Sequence, residues 1–442
     1  MRRLFVLLGV IFVITGAVNL AVYSSDLIDH QQPVYFELNW VGAHRLVDRE
    51  PLYDRAASQR DGFELIGPGR FDFSNGATYA SYIGSPATAL LYVPFVPFDH
   101  DPAADLYRAV QVVLMAAAIV ITAFALPRRS RLPAVLVGAG ALLWGYPFAE
   151  SIGLGQVDGF IMVALAIAIW ASVRDQWRVV GAALGIATLL KISPGLLLVY
   201  LVLRGRRTVI LPAIISAAGL LAVATIVGRP GDTVKWVTDV LPEVSKGGLL
   251  VNNQSIPAWV ARLFGSNLNW LSLDTDLGAW RFLAFLVMAA GLAAVFLVRR
   301  RRPLVPLELG AVILVALLAG PVTWDHYPTW AVLTLVLMAD LRWWEGRRRG
   351  EVAALLVVLA GGLALMWKKT LYPTADVIRS DWTRHLESGT KTVGMLAFLA
   401  VALWLLARPP EAVAPEGVPE TSARTIEHEE ADSGEKGLHA RR

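Results

Sequence analysis

The residues that could do chemistry stand out because charge is rare in the apolar parts of this sequence. Asp158, Lys191, Asp325 and His326 each lie at the end of a long apolar stretch. A charged side chain in such a place costs free energy unless it lines a hydrated cavity. These four residues are therefore the first markers of a functional site, and the apolar stretches that carry them must bring them together.

The apolar stretches dominate the 442-residue chain, in which 55% of the residues are apolar and 17% are charged. A helix of about 20 apolar residues crosses the ~30 Å hydrocarbon layer, and backbone amides in lipid must be paired within the segment. The sequence therefore predicts an all-α polytopic membrane protein with about 12 transmembrane or membrane-dipping helices. They lie near residues 4–23, 106–126, 133–148, 157–173, 178–190, 194–203, 208–227, 281–298, 304–321, 328–341, 351–367 and 392–407.

Arginines in alternate connections predict how the chain is oriented. By the positive-inside rule their side is cytoplasmic, so we expect both termini in the cytoplasm of a multi-pass cell-membrane protein. Segments 24–105, 228–280 and 368–391 then face outward, together with the helix ends that carry the four marker residues. The arginines are Arg2 and Arg3, Arg128, Arg129 and Arg131, Arg174 and Arg178, Arg204, Arg206 and Arg207, Arg299 to Arg302, and Arg342 with Arg347 to Arg349.

Several segments are not expected to be simple crossings. Segments 178–190 and 194–203 are too short for two spans and predict a hairpin broken at Pro194, with Lys191 at its tip. Residues 34–47 predict an interfacial helix with Phe36 and Trp40 on one side and a more polar side that includes Glu37 and Arg45. Residues 82–98 are punctuated by prolines and predict a re-entrant or interfacial element.

The chain is expected to have one membrane-embedded domain and a tail. Residues 1–408 hold all the apolar stretches, whereas residues 409–442 are rich in Pro, Glu, Ala and Gly without apolar periodicity. The tail is therefore expected to be disordered and cytoplasmic.

Short strings of polar residues follow one another in an order that resembles glycosyltransferase family 87. This order runs from about residue 2 to residue 408, and each string alone is a weak signal. The strings are Gly155-Gln156-Val157-Asp158, Lys191-Ile192-Ser193-Pro194, Asn253-Gln254-Ser255 with Trp259 and Arg262, Pro321 to Tyr327, Ser85 to Leu91, and Gly42-Ala43 with Pro51-Leu52-Tyr53-Asp54. The resemblance implies a membrane enzyme of the GT-C type that takes a sugar from a polyprenyl phosphate carrier.

The resemblance also implies which residues bind the substrate. The phosphate of the donor needs positive charge and hydrogen-bond donors, and we expect Lys191, held by the Pro194 bend, to supply them. The alternative is a lysine that only reaches the interface. Arg262 could also hold phosphate or sugar, or could pair with a nearby carboxylate. The remaining expected substrate-binding residues are Gln156, Asn253 and Gln254, whose amides suit hydroxyl recognition or helix capping, and Asp158 and Asp325.

The expected catalytic residues are His326, Glu37 and Asp29. His326 could orient the acceptor or donate to the leaving phosphate, or could simply be packed at the interface. The resemblance implies an Asp early in the first external segment as general base, but the matched position holds Tyr35. We expect Glu37 to replace it, with Asp29 as the next candidate. The alternatives are a shifted base, an altered reaction, lost activity, or a Glu37 that is merely solvated.

The function expected from these features is transfer of a hexose, most simply mannose, from a polyprenyl phosphate sugar to a lipid or glycan acceptor on the external face. The alternative is a transporter or flippase of a lipid-linked sugar, and a third possibility is an inactive protein that binds one. The expected partners are the donor, the acceptor and membrane lipids, with no nucleic acid. We expect no cofactor and no metal, since no Cys is present and no nucleotide-sugar metal motif is found.

Overall fold

The computed structural model describes residues 1–24, 33–67, 82–264, 277–367 and 388–408, and over these ranges the chain is all-helical. Residues 1–408 form one compact unit. The predicted tail and the candidate base Asp29 lie outside the described residues. The helices are α1 (Arg2–Asn19), α2 (Val34–Val47), α3 (Arg55–Ile66), α4 (Pro86–Leu90), α5 (His100–Ala123), α6 (Arg128–Trp144), α7 (Tyr146–Leu154), α8 (Asp158–Ser172), α9 (Trp177–Leu190), α10 (Gly195–Leu203), α11 (Ile210–Val227), α12 (Pro230–Lys235), α13 (Leu241–Val244), α14 (Ile256–Phe264), α15 (Arg281–Arg299), α16 (Pro306–Ala319), α17 (Ala331–Met338), α18 (Arg349–Trp367) and α19 (Thr390–Ala407).

Each of the twelve predicted apolar stretches coincides with a helix, which confirms the predicted fold class. Six of the described helices are long and apolar enough to cross a membrane, or seven if α6 and α7, bent by 66°, form one broken span. The other apolar helices have 17 residues or fewer. Twelve crossings therefore remain a prediction, whereas a polytopic membrane protein is supported.

Two short apolar helices form the centre of the molecule. All residues of α17, and all those of α16 after Pro306, are buried, which is typical of a helix surrounded by protein on every side. The turn between α16 and α17 carries Asp325 and His326. The apolar character of these helices therefore places two of the four marker residues at one end of the core.

A buried ion cluster closes the opposite end of α16. Glu308 contacts Arg204 at 3.0 Å and Arg299 at 3.3 Å, and accepts a hydrogen bond from Tyr200. Glu308 also caps its own helix by accepting from the backbone of Val305. The cluster thus ties the ends of α10 and α15 to the start of the central helix.

The predicted hairpin is formed by α9 and α10, which are separated by Lys191 to Pro194. Lys191 has an extended backbone, so the break leaves its side chain free to turn into the core. On α9, a Cβ at Gly185 would lie 2.3 Å from the carbonyl oxygen of Ala213, so this glycine permits the close approach of α11. Close packing on α11 therefore fixes the position of the helix that ends at Lys191.

Helix α2 has the predicted bounds, but it is buried on most sides. Glu37 and Arg45, expected on a polar outer side, are 1% and 2% exposed. The reason is that α2 packs against α3 and α4, and its charges find partners there and on α5: Arg45 pairs with Asp61 and Glu50, and Glu37 with His100. Residues 82–98 form α4 and a 3-10 turn at Val93–Phe95, in agreement with a short element rather than a span.

Candidate functional site

A cavity of about 480 Å³ opens between α2, α4, the tip of the α9–α10 hairpin and the turn after α16. One part of its wall is polar and includes Tyr35, Asn39, Gln156, Lys191 and Trp324. The remaining wall is mostly apolar and is formed by side chains such as Leu196, Val199, Met288, Leu241 and Val244. The cavity can therefore hold a ligand with a polar head and a long apolar chain.

Lys191 is the one charged residue among the described residues that line this cavity. Its Nζ lies 2.8 Å from Oδ1 of Asp158 and 3.7 Å from the ring centre of Tyr327. These contacts hold the ammonium in place and leave hydrogen-bond donors for a ligand, because a lysine has three. An anionic group is the ligand that such a donor favours.

Asp158 is fully buried and fixes Lys191 from behind. It accepts hydrogen bonds from Ser151 at 2.7 Å and from Nε1 of Trp330 at 3.0 Å. The preceding turn depends on Gly155, which has φ +70° and where a Cβ would lie 2.4 Å from Cβ of Phe36. The string from Gly155 to Asp158 thus presents Gln156 to the cavity and the Asp158 carboxylate to Lys191.

His326 lies next to the cavity, between two aromatic rings that line it. The ring centres of Tyr35 and Tyr327 are 6.0 Å and 4.9 Å away, and Nε2 of His326 is buried without a hydrogen-bond partner among the described residues. Burial and the nearby charge of Lys191 lower the pKa of His326 to about 3, although the negative charge of Asp158 favours a higher pKa. The imidazole is therefore neutral near pH 7.

A second buried pair lies beside His326. Asp325 is 3.2 Å from Nζ of Lys391, and both side chains are buried. The Lys391 ammonium also lies 5.1 Å from the ring centre of Tyr146. Lys391 was not among the predicted site residues, because the apolar pattern ends the external segment at this residue, whereas the structure places it in the first turn of α19.

Asn253, Gln254 and Arg262 are buried and bind backbone groups. Asn253 donates to the carbonyls of Gly248 and Pro321 and accepts from the backbone of Thr323, while Gln254 donates to the carbonyls of Val251 and Ser388. Arg262 donates to the carbonyls of Leu250, Asn253 and Ser388. These three residues join segments 248–264, 321–324 and 388–392, so in this structure they shape the site from outside the cavity.

Glu37 lies on the side of α2 that faces away from the cavity. Tyr35 and Asn39, four residues apart and on one side of the helix, line the cavity, whereas residue 37 points to the opposite side. Glu37 is 3.4 Å from Nε2 of His100, and its Oε2 has no partner among the described residues. The structure therefore does not bring Glu37 together with Lys191 and His326.

The residues that hold α2 against the cavity could not be recognised from their own segments of the sequence. Tyr107 donates to Tyr92, Tyr92 donates to the carbonyl of Gly155, and Asn39 donates to Tyr92 and to the carbonyl of Tyr35. Each residue is ordinary in its own segment, and only the packing of α2, α4 and α5 brings them together.

Within the described ranges, no group of three or more His, Asp and Glu side chains could hold a metal ion.

The family model and the sequence relatives agree on the kind of protein. The model of glycosyltransferase family 87 matches residues 82–324. A polyprenol-phosphate-mannose-dependent alpha-(1-2)-phosphatidylinositol mannoside mannosyltransferase of Mycobacterium tuberculosis is 28% identical over 77% of this chain and 81% of its own length. The Mycolicibacterium smegmatis protein of the same description is 28% identical over 82% of this chain and 86% of its own. Among solved structures, ArnT from Cupriavidus metallidurans bound to undecaprenyl phosphate matches with a TM-score of 0.38 and 12% identity, over 92% of this chain and 76% of that one.

Proposed function

This chain belongs to glycosyltransferase family 87. We propose that it transfers a hexose from a polyprenyl phosphate donor to a lipid or glycan acceptor on the external face of the membrane, and that the hexose is mannose. The two mannosyltransferases similar to it are both described as dependent on polyprenol phosphate mannose. Membership of the family favours catalysis over the alternative of a transporter or flippase.

One observation carries the proposal: the cavity combines a largely apolar wall with one ammonium group, on Lys191. A polyprenyl phosphate sugar has the same division, since its phosphodiester is anionic and its chain is hydrocarbon. We place the phosphate at Lys191, the chain along Leu196, Val199 and Met288, and the sugar near Gln156 and Trp324. Asp158 then serves as a positioning residue that keeps the ammonium at this point.

The reaction that fits this arrangement is a direct displacement at the anomeric carbon. The acceptor hydroxyl oxygen forms a bond to that carbon while the bond from the carbon to the phosphate oxygen breaks, and the phosphate leaves with the electron pair. The configuration of the anomeric carbon is thereby inverted. Lys191 stabilises the charge that develops on the leaving phosphate, and the proton of the acceptor passes to a base.

The position of Glu37 bears on which carboxylate is the base. Because Glu37 points away from the cavity and pairs with His100, we propose Asp29 as the residue that takes the acceptor proton. Neutral His326 can accept a hydrogen bond at Nε2, which suits it to orient an acceptor hydroxyl. Asn253, Gln254, Arg262 and the Asp325–Lys391 pair hold the surrounding segments in place.

The proposed orientation places the cavity outside and both termini in the cytoplasm. Lys191 and Asp158 are paired at one end of α8, α9 and α10, whereas Arg174, Arg178 and Arg204 follow or begin these helices at the other end. This separation supports a cytoplasmic position for the arginines under the positive-inside rule.

Transfer of labelled mannose tests the proposal. Purified protein in proteoliposomes is supplied with polyprenyl phosphate mannose and a glycolipid acceptor extracted from the source membrane, and labelled glycolipid is measured. We expect product with the wild-type protein, a loss of about 100-fold or more with Lys191→Ala, and normal product with Lys246→Ala, an exposed lysine paired with Glu243. A wild-type protein that transfers no mannose, or Lys191→Ala at the wild-type rate, would contradict the proposal.

A further inference from the structure

The segment Pro230–Val244, which we name the rim helix, forms one wall of the cavity. It consists of α12, a π-helical turn at Trp236–Val240 and α13. Trp236, Leu241 and Val244 line the cavity, and Val240 packs with Trp236 on a buried cluster around Leu46 and Leu52. The apolar side of the rim helix is thus partly covered by protein.

The rest of the protein covers only part of the apolar side of the rim helix. Val234 and Val237, at one edge of this side, are 62% and 50% exposed. Lys235, Thr238, Asp239 and Glu243 form the other side and are exposed as well. A helix with this division is amphipathic, and such helices lie at membrane interfaces with their apolar side in the lipid.

The start of the rim helix fixes it at the end of a membrane span. Two residues separate Pro230 from the candidate span Arg207–Val227, whose last turns expose Val223 and Ile226. Asp232 accepts from the backbone of Leu52, and Lys235 donates to the carbonyl of Tyr53, so the helix is tied to the segment that follows α2. Its exposed valines therefore continue the lipid-facing surface of α11.

We propose that the rim helix lies in the membrane interface, with Val234 and Val237 among the hydrocarbon chains of the leaflet and with its inner side closing the cavity. This edge is then the lipid side of the cavity, past which the apolar chain of a lipid substrate reaches Leu196 and Val199. The occupant of the exposed edge is the bilayer itself. The path of the lipid substrate rests on the proposed function, whereas the position of the rim helix in the interface does not.

Spin labels test the position of the helix independently of activity. The chain has no native Cys, so Val234→Cys and Val237→Cys each carry one label in the full-length protein in proteoliposomes, with Thr238→Cys and Asp239→Cys as matched controls on the polar side. We expect the two valine positions to relax mainly with dissolved oxygen and the two controls mainly with a water-soluble nickel chelate. Valine positions that relax mainly with the chelate, or that neither reagent reaches, would overturn the proposal.

Kinetics test the proposed path of the lipid substrate past the rim helix. Val237→Asp places a charge at the lipid edge, and we expect it to raise KM about fivefold or more for a long-chain polyprenyl phosphate mannose. KM for a water-soluble short-chain donor should stay at the wild-type value, and Thr238→Asp should change neither. Equal effects on both donors would overturn the substrate path. If the wild-type protein used neither donor, the proposed function would fail while the spin-label result would still decide the position of the helix.

Discussion

Each charged side chain that approaches the cavity has a partner from another part of the fold. Lys191 is held by Asp158 across two helices, and Lys391 by Asp325. Burying an ion is costly unless a counter-ion and hydrogen bonds are supplied, which explains why Ser151 and Trp330 also bind Asp158. The site therefore depends on pairs of charged residues, and in the first pair Lys191 also lines the cavity.

The burial of His326 makes stability sensitive to acid. Its pKa is about 3 in the folded protein against ~6.5 in an unfolded chain, so between these values the unfolded state binds a proton that the folded state does not. Neutral His326 therefore contributes to the free energy of unfolding above pH 6.5. This contribution is lost as pH falls toward 3, and the free energy of unfolding is lower by about 2 kcal/mol at pH 5. We expect His326→Asn to lose less thermal stability than the wild type between pH 7 and pH 5. Equal losses in the two proteins would contradict a neutral buried His326.

The two candidate bases differ in what their substitution should do. Asp29→Asn should lower kcat by about 10²- to 10⁴-fold, as expected for removal of a general base. Glu37→Gln keeps the size of the side chain and its polar contact with His100, so we expect kcat close to that of the wild type in the mannose-transfer assay. A folded Glu37→Gln variant that loses as much activity as Asp29→Asn would return the role of base to Glu37.

At the scale of single residues, the sequence indicated the site only in part. Charge in an apolar context pointed to Lys191, Asp158, Asp325 and His326, because a charge near a membrane is costly without a hydrated cavity. The structure places all four at one end of the core, at the cavity or beside it. The sequence pattern could not show that Arg262 and Asn253 bind backbone carbonyls, since some of the partners, such as Pro321 and Ser388, come from segments 60 or more residues away. The amphipathic pattern of α2 similarly gave its bounds but not the residues that bury Glu37.

At the scale of helices, the breaks between helices position the residues of the candidate site. The break between α9 and α10 presents Lys191, the turn between α16 and α17 presents Trp324 and His326, and Gly155 ends α7 just before α8 begins. The helices of the twelve apolar stretches were predictable from apolar length alone. Their packing was not, because α9 approaches α11 through small residues that the apolar pattern does not distinguish.

The Glu308 cluster at the far end of α16 should be needed for stability and not for chemistry. Glu308→Ala leaves Arg204 and Arg299 without a buried counter-ion, which typically costs about 3–5 kcal/mol. We expect a clearly lower midpoint of thermal unfolding in detergent, with donor KM unchanged below that temperature. Glu345→Ala is the matched control, since Glu345 pairs with Arg129 at the surface. An unchanged midpoint for Glu308→Ala would contradict a structural role for the cluster.

At the scale of the whole molecule, polarity is segregated between the ends of the helices. Arginine-rich turns lie at one end, and the cavity with its two buried lysine–aspartate pairs lies at the other. The central helices α16 and α17 are apolar on all sides and form a fixed core between these ends. The cavity is therefore built between helices at one end of this core, and we propose that its wall at the rim helix is the side that meets the lipid.

Lys191, held by Asp158, is the residue that we propose binds the phosphate of a polyprenyl donor. Binding of polyprenyl phosphate, the leaving group without its sugar, is measured by calorimetry on the wild type, on Lys191→Met and on the exposed control Lys246→Met. We predict that Lys191→Met weakens binding about tenfold or more and that Lys246→Met binds like the wild type. Wild-type affinity in a folded Lys191→Met protein would contradict the claim.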